Sequence, residues 1–189
     1  GHAAAYALAV AAVVSQPWLH LVLVAPTWRG PLPTMLQRPA STFEPLQRLV
    51  RLPGIGGLLY HLNTSRSLLR YMCRRHVLRD QQHLTPVFLR RKQAIARQPG
   101  ARFASVAFVT GGLDLYAQPG DWLEQARQLS CPLTAVKAKD SPPRSRHEME
   151  LLAQLPGVHS VWLTGRLGLH EETVTELAAL LQPESLVRS

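Results

Sequence analysis

One histidine stands where proton-transfer chemistry is expected. The run Val161-Trp162-Leu163-Thr164-Gly165-Arg166-Leu167-Gly168-Leu169-His170-Glu171-Glu172 puts His170 in a loop after an expected strand and just before the last helix. An imidazole there can act as a general base on a nucleophile and later as a general acid. The plainer reading is a first-turn helix residue, with Glu171 and Glu172 complementing the helix dipole. A carboxylate partner is offered by Asp140, which ends the run Leu133-Thr134-Ala135-Val136-Lys137-Ala138-Lys139-Asp140. It could orient the imidazole and stabilise its charged form. Because Ser141-Pro142-Pro143 follows, it could equally be a helix cap. Asp114, in the turn Thr110-Gly111-Gly112-Leu113-Asp114, is the second candidate acid.

A covalent route also needs a nucleophile on a tight strand-to-helix turn flanked by small residues. Gly1-His2-Ala3-Ala4-Ala5 supplies the small residues and the helix that follows, but no hydroxyl or thiol. Ala3, at the centre of the motif, cannot attack a carbonyl. Ser15 and Ser41 lack the context of such a turn.

The elements that must position these residues alternate. His2 to Val13 is an Ala-rich apolar run expected to form a helix buried against a sheet. Leu19 to Val24 reads as a short strand and 28–33 as a loop punctuated by Gly30, Pro31 and Pro33. Residues 43–98 look all-helical: Phe43 to Leu52, a break at Pro53-Gly54-Ile55-Gly56-Gly57, Leu58 to Leu62, Leu68 to Val77, and a helix opened by Thr85-Pro86. The glycine cluster at 54–57 follows no strand and lacks the Lys-Ser/Thr partner of a phosphate loop, so a turn or hinge is expected. Ala101 to Val109 is mixed in character. Trp122 to Leu129, Arg144 to Leu155 and Glu171 to Leu181 read as helices, and Leu133 to Val136 and Val158 to Leu163 as strands. Strands alternating with helices of this length indicate βαβ units, hence an α/β fold with a parallel sheet. Three strands alone would leave apolar surface bare, so further strands are expected before residue 1. The start at Gly1, inside an apolar run, fits a fragment whose targeting signal would lie upstream.

Composition narrows the function classes. The chain has 189 residues, 46% hydrophobic and 17% charged, which suits one globular domain with a sizeable core. The apolar run from Ala3 to Val14 is stopped by Ser15-Gln16-Pro17, short of the roughly 20 residues that span a bilayer. The net charge of +9 is concentrated between Arg66 and Arg102. No stacking-aromatic pattern, zinc spacing or recognition helix accompanies it, so a solvated helical face is expected and nucleic acid is not. Cys73 and Cys131 form no close pair, and Cys73, His76 and His83 read as packing and surface residues rather than metal ligands. No metal or cofactor is expected. Trp28, Trp122 and Trp162 read as core or pocket lining, and Met72 and Met149 as packing.

Taken with their order along the chain, these motifs resemble the α/β-hydrolase superfamily from the nucleophile elbow onward, Gly-His-Ala-Ala-Ala standing in for Gly-His-Ser-x-Gly. More narrowly, the chain is similar to a cyanobacterial and plastid-lineage group of predicted α/β-hydrolases. That likeness runs through Ala25-Pro26-Thr27-Trp28-Arg29-Gly30-Pro31-Leu32-Pro33, Arg75-His76-Val77, Pro99-Gly100-Ala101-Arg102-Phe103 and Phe108-Val109-Thr110-Gly111-Gly112-Leu113-Asp114. It continues through Pro142-Pro143-Arg144-Ser145-Arg146-His147-Glu148-Met149 and Leu167-Gly168-Leu169-His170-Glu171-Glu172, and covers nearly the whole chain. The resemblance implies that Ala3 occupies the nucleophile place, Asp140 the acid and His170 the histidine, with the backbone N–H of Ala4 as one oxyanion donor. It implies a core of residues 1–40 and 99–189, and a helical cap or lid over 41–98. It also implies a soluble protein, cytoplasmic in a cyanobacterium or plastidic in an alga, acting on a small-molecule substrate or ligand.

Three functions follow as expectations. The first is a hydrolase scaffold for an ester, thioester or similar acyl compound, with Ala at the nucleophile place. The alternative is a catalytically inactive homologue, a pseudoenzyme, that binds a small ligand or a protein. The third is an anion-binding module built on the arginine-rich helices.

Overall fold

The computed structural model describes residues 1–14 and 20–182. The expected strand start at Leu19, and Ser15, lie outside them. Contacts divide the chain into two compact units. One comprises residues 1–28, 76–79 and 115–189, and the other 29–75 and 80–114.

The first unit is built on three parallel strands, β1 (Leu21–Val24), β2 (Leu133–Ala138) and β3 (Val158–Leu163), in the order β1-β2-β3. Leu21 pairs with Leu133, and Leu133 with Val158. Every residue of β2 is buried, as its near-continuous apolar run requires of a central strand. Two of its residues are polar: Thr134, whose hydroxyl lies 2.8 Å from His20 Nε2, and Lys137, whose ammonium stacks 4.4 Å from the ring centroid of Trp162 on β3. That cation–π contact replaces part of the hydration lost on burial. Two apolar clusters share the strand residues. Leu23, Leu133 and Ala135 pack with Ala4, Leu8, Trp122 and Leu152. Ala25, Val136 and Ala138 pack with Met149, Leu169 and Leu177. These side chains come from α1 (Ala3–Val13), α8 (Pro119–Arg127), α9 (Pro143–Ala153), α10 (Leu169–Glu172) and α11 (Val174–Leu180). Trp28 and Trp122 are core residues, as expected.

The second unit is helical among its described residues: α2 (Pro31–Leu36), α3 (Glu44–Arg51), α4 (Ile55–Asn63), α5 (Arg66–Met72), α6 (Pro86–Ala96) and α7 (Ala101–Thr110). It is wider than the 41–98 insertion read from sequence, because 29–40 and 99–114 pack with it. Two local expectations are corrected. The segment after Trp28 is not wholly a loop: Gly30, in an extended conformation, precedes Pro31 at the first helical position, which starts α2. Nor do the glycines at 56 and 57 break the chain. The turn is made by Gly54 alone, at φ 71°. Gly56 sits inside α4, where a β-carbon would lie 2.2 Å from the Val50 carbonyl oxygen, so only glycine admits this approach to α3. The mixed run after Gly100 is α7, and the closing helix is interrupted at Thr173.

Asp114 braces the helical unit. Its Oδ1 accepts the Gly30 N–H at 2.8 Å. A β-carbon on Gly30 would lie 2.2 Å from the Phe108 carbonyl oxygen, so the backbones of α2 and α7 meet closely here. Burial pushes the Asp114 carboxyl up to about 6, outweighing the Gly30 bond and the Arg29 charge, which both act in the opposite sense. The folded chain therefore holds this proton more tightly than the unfolded chain. Its contribution to stability is present at low pH and declines as pH rises from 3.8 to about 6. In Asp114→Asn, which keeps an acceptor for Gly30, the melting temperature measured across pH 4 to 7 should lose that decline.

Candidate functional site

The carboxyl ends of parallel strands gather the loops that follow them, and in open α/β sheets ligands bind at that edge. The sequence-derived residues of the first unit lie there. Gly1 donates from its backbone N to the carbonyl of Val24, the last residue of β1, at 2.7 Å, and Thr27 N–H reaches the Gly1 carbonyl at 3.4 Å. The turn into α1 is thereby fixed beside the end of β1. Asp140 follows β2 by two residues and His170 follows β3 by seven.

Ala3 is the first residue of α1 and is exposed. His2 before it has φ −57° and ψ −30°, ordinary helical values. Burial, then the neighbouring amino group, lowers the pKa of the His2 imidazole, favouring its neutral form. Ala4 is buried, and its N–H donates to the Gly1 carbonyl at 3.0 Å, the first bond of the helical turn. In this arrangement that N–H is already engaged.

Asp140 is tied to the loop that carries His170. Its backbone N–H donates to the Gly165 carbonyl at 2.9 Å, and its Oδ2 accepts the Gly165 N–H at 3.1 Å. The same oxygen lies 3.4 Å from Arg79 Nε. His170 is exposed, at the second position of the short helix α10. No hydrogen bond joins its imidazole to Asp140 among the described residues. The structure thus brings the two loops together through backbone and guanidinium, not through the carboxylate–imidazole contact of a working triad. Asp114 belongs to the helical unit and is engaged by Gly30. Ser41 lies in a short 3-10 turn, Ala40–Phe43, of the same unit.

Two features of this edge escaped the sequence reading. The first is the segment His76–Arg79, which packs with the sheet-bearing unit although helices of the other unit flank it in sequence. Its carbonyls at His76 and Val77 accept the N–H groups of Leu167 and Gly168, at 3.4 and 2.9 Å. Leu78 is buried, and Arg79 N–H donates to Glu172 Oε1 at 2.8 Å. The Arg75-His76-Val77 run and the glycine at 168 were the available signals. The second is Ala25, buried in the left-handed region at φ 44° immediately after β1. Holding a non-glycine residue there costs about 1–3 kcal/mol, a strain usually found where a loop has been set for function. Its N–H continues the sheet to the Val136 carbonyl at 2.8 Å.

Among the described residues no group of three or more His, Cys, Asp or Glu side chains could hold a metal. No helix there is long and apolar enough to cross a membrane.

Solved structures supply the comparison. The enol-lactonase from Burkholderia xenovorans LB400 superposes with a TM-score of 0.61 at 12% identity, over 98% of this chain and 62% of that one. The proline iminopeptidase of Mycobacterium smegmatis gives 0.57 at 15%, over 98% and 62%. The thioesterase domain from the curacin biosynthetic pathway gives 0.54 at 17%, over 98% and 63%. All three are α/β-hydrolases. This chain has the α/β-hydrolase fold. At such identities the likeness is one of fold, and the chain spans less than two thirds of the length of these structures. No family model matches the chain, and no curated protein matches it in sequence.

Within the α/β-hydrolase fold the contact between 76–79 and the histidine loop is tight. A β-carbon on Gly168 would lie 2.6 Å from Val77 Cγ1 and 2.8 Å from its carbonyl oxygen. Gly168→Ala should therefore displace the segment. We expect a loss of about 1–3 kcal/mol, read as a melting temperature lower by about 2 °C or more, with faster amide exchange confined to 76–79 and 165–168.

Proposed function

We propose that this chain is an acyl-hydrolase-type scaffold that binds a small carbonyl compound, an ester or thioester, without forming an acyl-enzyme at residue 3. The carrying observation is chemical. Residue 3, in the turn read as the elbow beside the end of β1, is Ala, whose methyl group has no lone pair to attack a carbonyl. The neighbouring geometry supports the same reading. Ala4 N–H is bonded to Gly1, and Asp140 accepts from Gly165 and faces Arg79. The enol-lactonase and thioesterase names of the structural neighbours suggest the carbonyl class, and residues 41–98 are read as the helical cap insertion of such a scaffold. The narrower cyanobacterial and plastid-lineage likeness rests on sequence runs such as Ala25 to Pro33 alone.

A second reading is favoured by one observation: the His170 imidazole is exposed at the carboxyl edge of the sheet. A water activated by His170 would then hydrolyse the ester directly, with no covalent intermediate.

Short-chain p-nitrophenyl esters and a fluorophosphonate probe separate the two. On the scaffold reading the wild-type chain is unlabelled, and its ester turnover matches that of His170→Ala within about twofold. Turnover that falls by about tenfold or more in His170→Ala would establish the water route instead. Ala3→Ser tests the elbow itself: probe labelling of that variant, abolished by adding His170→Ala, would show that the missing hydroxyl is the principal defect.

A further inference from the structure

A cavity of about 380 Å³ lies within the helical unit, between α4, the end of α6 and the start of α7. Its walls include His61, Arg97 and Arg102, and no Asp or Glu. Arg97 Nη2 is 3.2 Å from His61 Nε2. A guanidinium has only donors, so that imidazole nitrogen accepts and the ring proton sits on Nδ1. Arg102 Nη1 is held 3.4 Å from the Leu52 carbonyl oxygen, and its guanidinium carbon lies 4.6 Å from the Phe103 ring centroid. Neither arginine makes an ion pair among the described residues. The lining also includes Gly57, Gly100 and Ala96, which carry at most a methyl group.

The surroundings reinforce this local charge. The helical unit carries thirteen Lys and Arg against three Asp and Glu. Those three acids are engaged elsewhere. Glu44 pairs with Arg48 at 2.9 Å, Asp80 accepts from Gln82 N–H, and Asp114 accepts from Gly30. A concave wall in such a field concentrates anions.

We propose that this cavity binds the phosphate monoester of a small molecule. Two guanidiniums and an imidazole match a doubly charged tetrahedral oxyanion better than a carboxylate, which has one charge and two oxygens. The volume lies at the low end for small-molecule pockets and favours a compact ligand over a polymer, which needs an extended groove. The site is built from the helical unit alone, and the proposal holds whatever chemistry residue 3 supports.

Calorimetric titration of the full chain with phenyl phosphate, inorganic phosphate and phenylacetate tests it. Phenyl phosphate should bind saturably, about tenfold or more tighter than phenylacetate. Arg97→Gln/Arg102→Gln should weaken it about tenfold or more, while Arg90→Gln/Arg91→Gln, which removes the same charge outside the cavity, should change it less than about twofold. Ala96→Leu fills the cavity at constant charge and should also weaken binding. It serves as the deciding variant should the double Arg change unfold the chain by circular dichroism. Equal losses in the two Arg pairs, or no loss in Ala96→Leu, would overturn the proposal, as would equal affinity for phenylacetate or no saturable binding. Binding only to phosphatidic acid vesicles or to a single-stranded oligonucleotide would overturn it too.

Discussion

The sheet-bearing unit depends on the burial of β2 between two parallel neighbours. A strand with no face open to water must be apolar or have its polar groups partnered, and Leu133 to Ala138 meets this: its two polar residues are Thr134, paired with His20, and Lys137, stacked on Trp162. Parallel pairing sends every return connection round through a helix. It also places the ends of β1, β2 and β3 at one edge. The turn into α1, Asp140 and the His170 loop are neighbours for that reason, not because any direct contact among their side chains collects them.

What could be read beforehand follows the same logic. The three strands were legible because branched apolar runs ended at clear breakers, and the order of Ala3, Asp140 and His170 along the chain was enough to suggest the fold. The helical middle was legible through its 3.6-residue spacing and through Thr85, whose hydroxyl does cap α6 by accepting from Phe88 N–H. Most of the failures are cases in which a tertiary contact overrode a local signal. Gly56 reads as a breaker, yet it is inside a helix because Val50 needs the space. Pro31 reads as loop, yet it begins α2, since its fixed φ suits a first helical position. The strain at Ala25 and the return of 76–79 to the sheet-bearing unit leave no periodic trace, since each is set by partners more than forty residues away.

The candidate site shows a separation between architecture and chemistry. Its loops are held by backbone hydrogen bonds and by Arg79, and these would persist whatever residue occupied position 3. A scaffold of this kind keeps its fold whatever side chain stands at position 3, because that residue takes no part in the two apolar clusters.

The uneven sharing of charge has a colloidal consequence. With its thirteen cations and three anions, the helical unit accounts for more than the whole excess of +9, which leaves the sheet-bearing unit close to its own isoelectric condition near neutral pH. A near-neutral body gains little mutual repulsion between copies and is prone to self-association. Solubility of the assembled chain would then be lent by one half to the other, and salt, by screening the donor, would withdraw it from both.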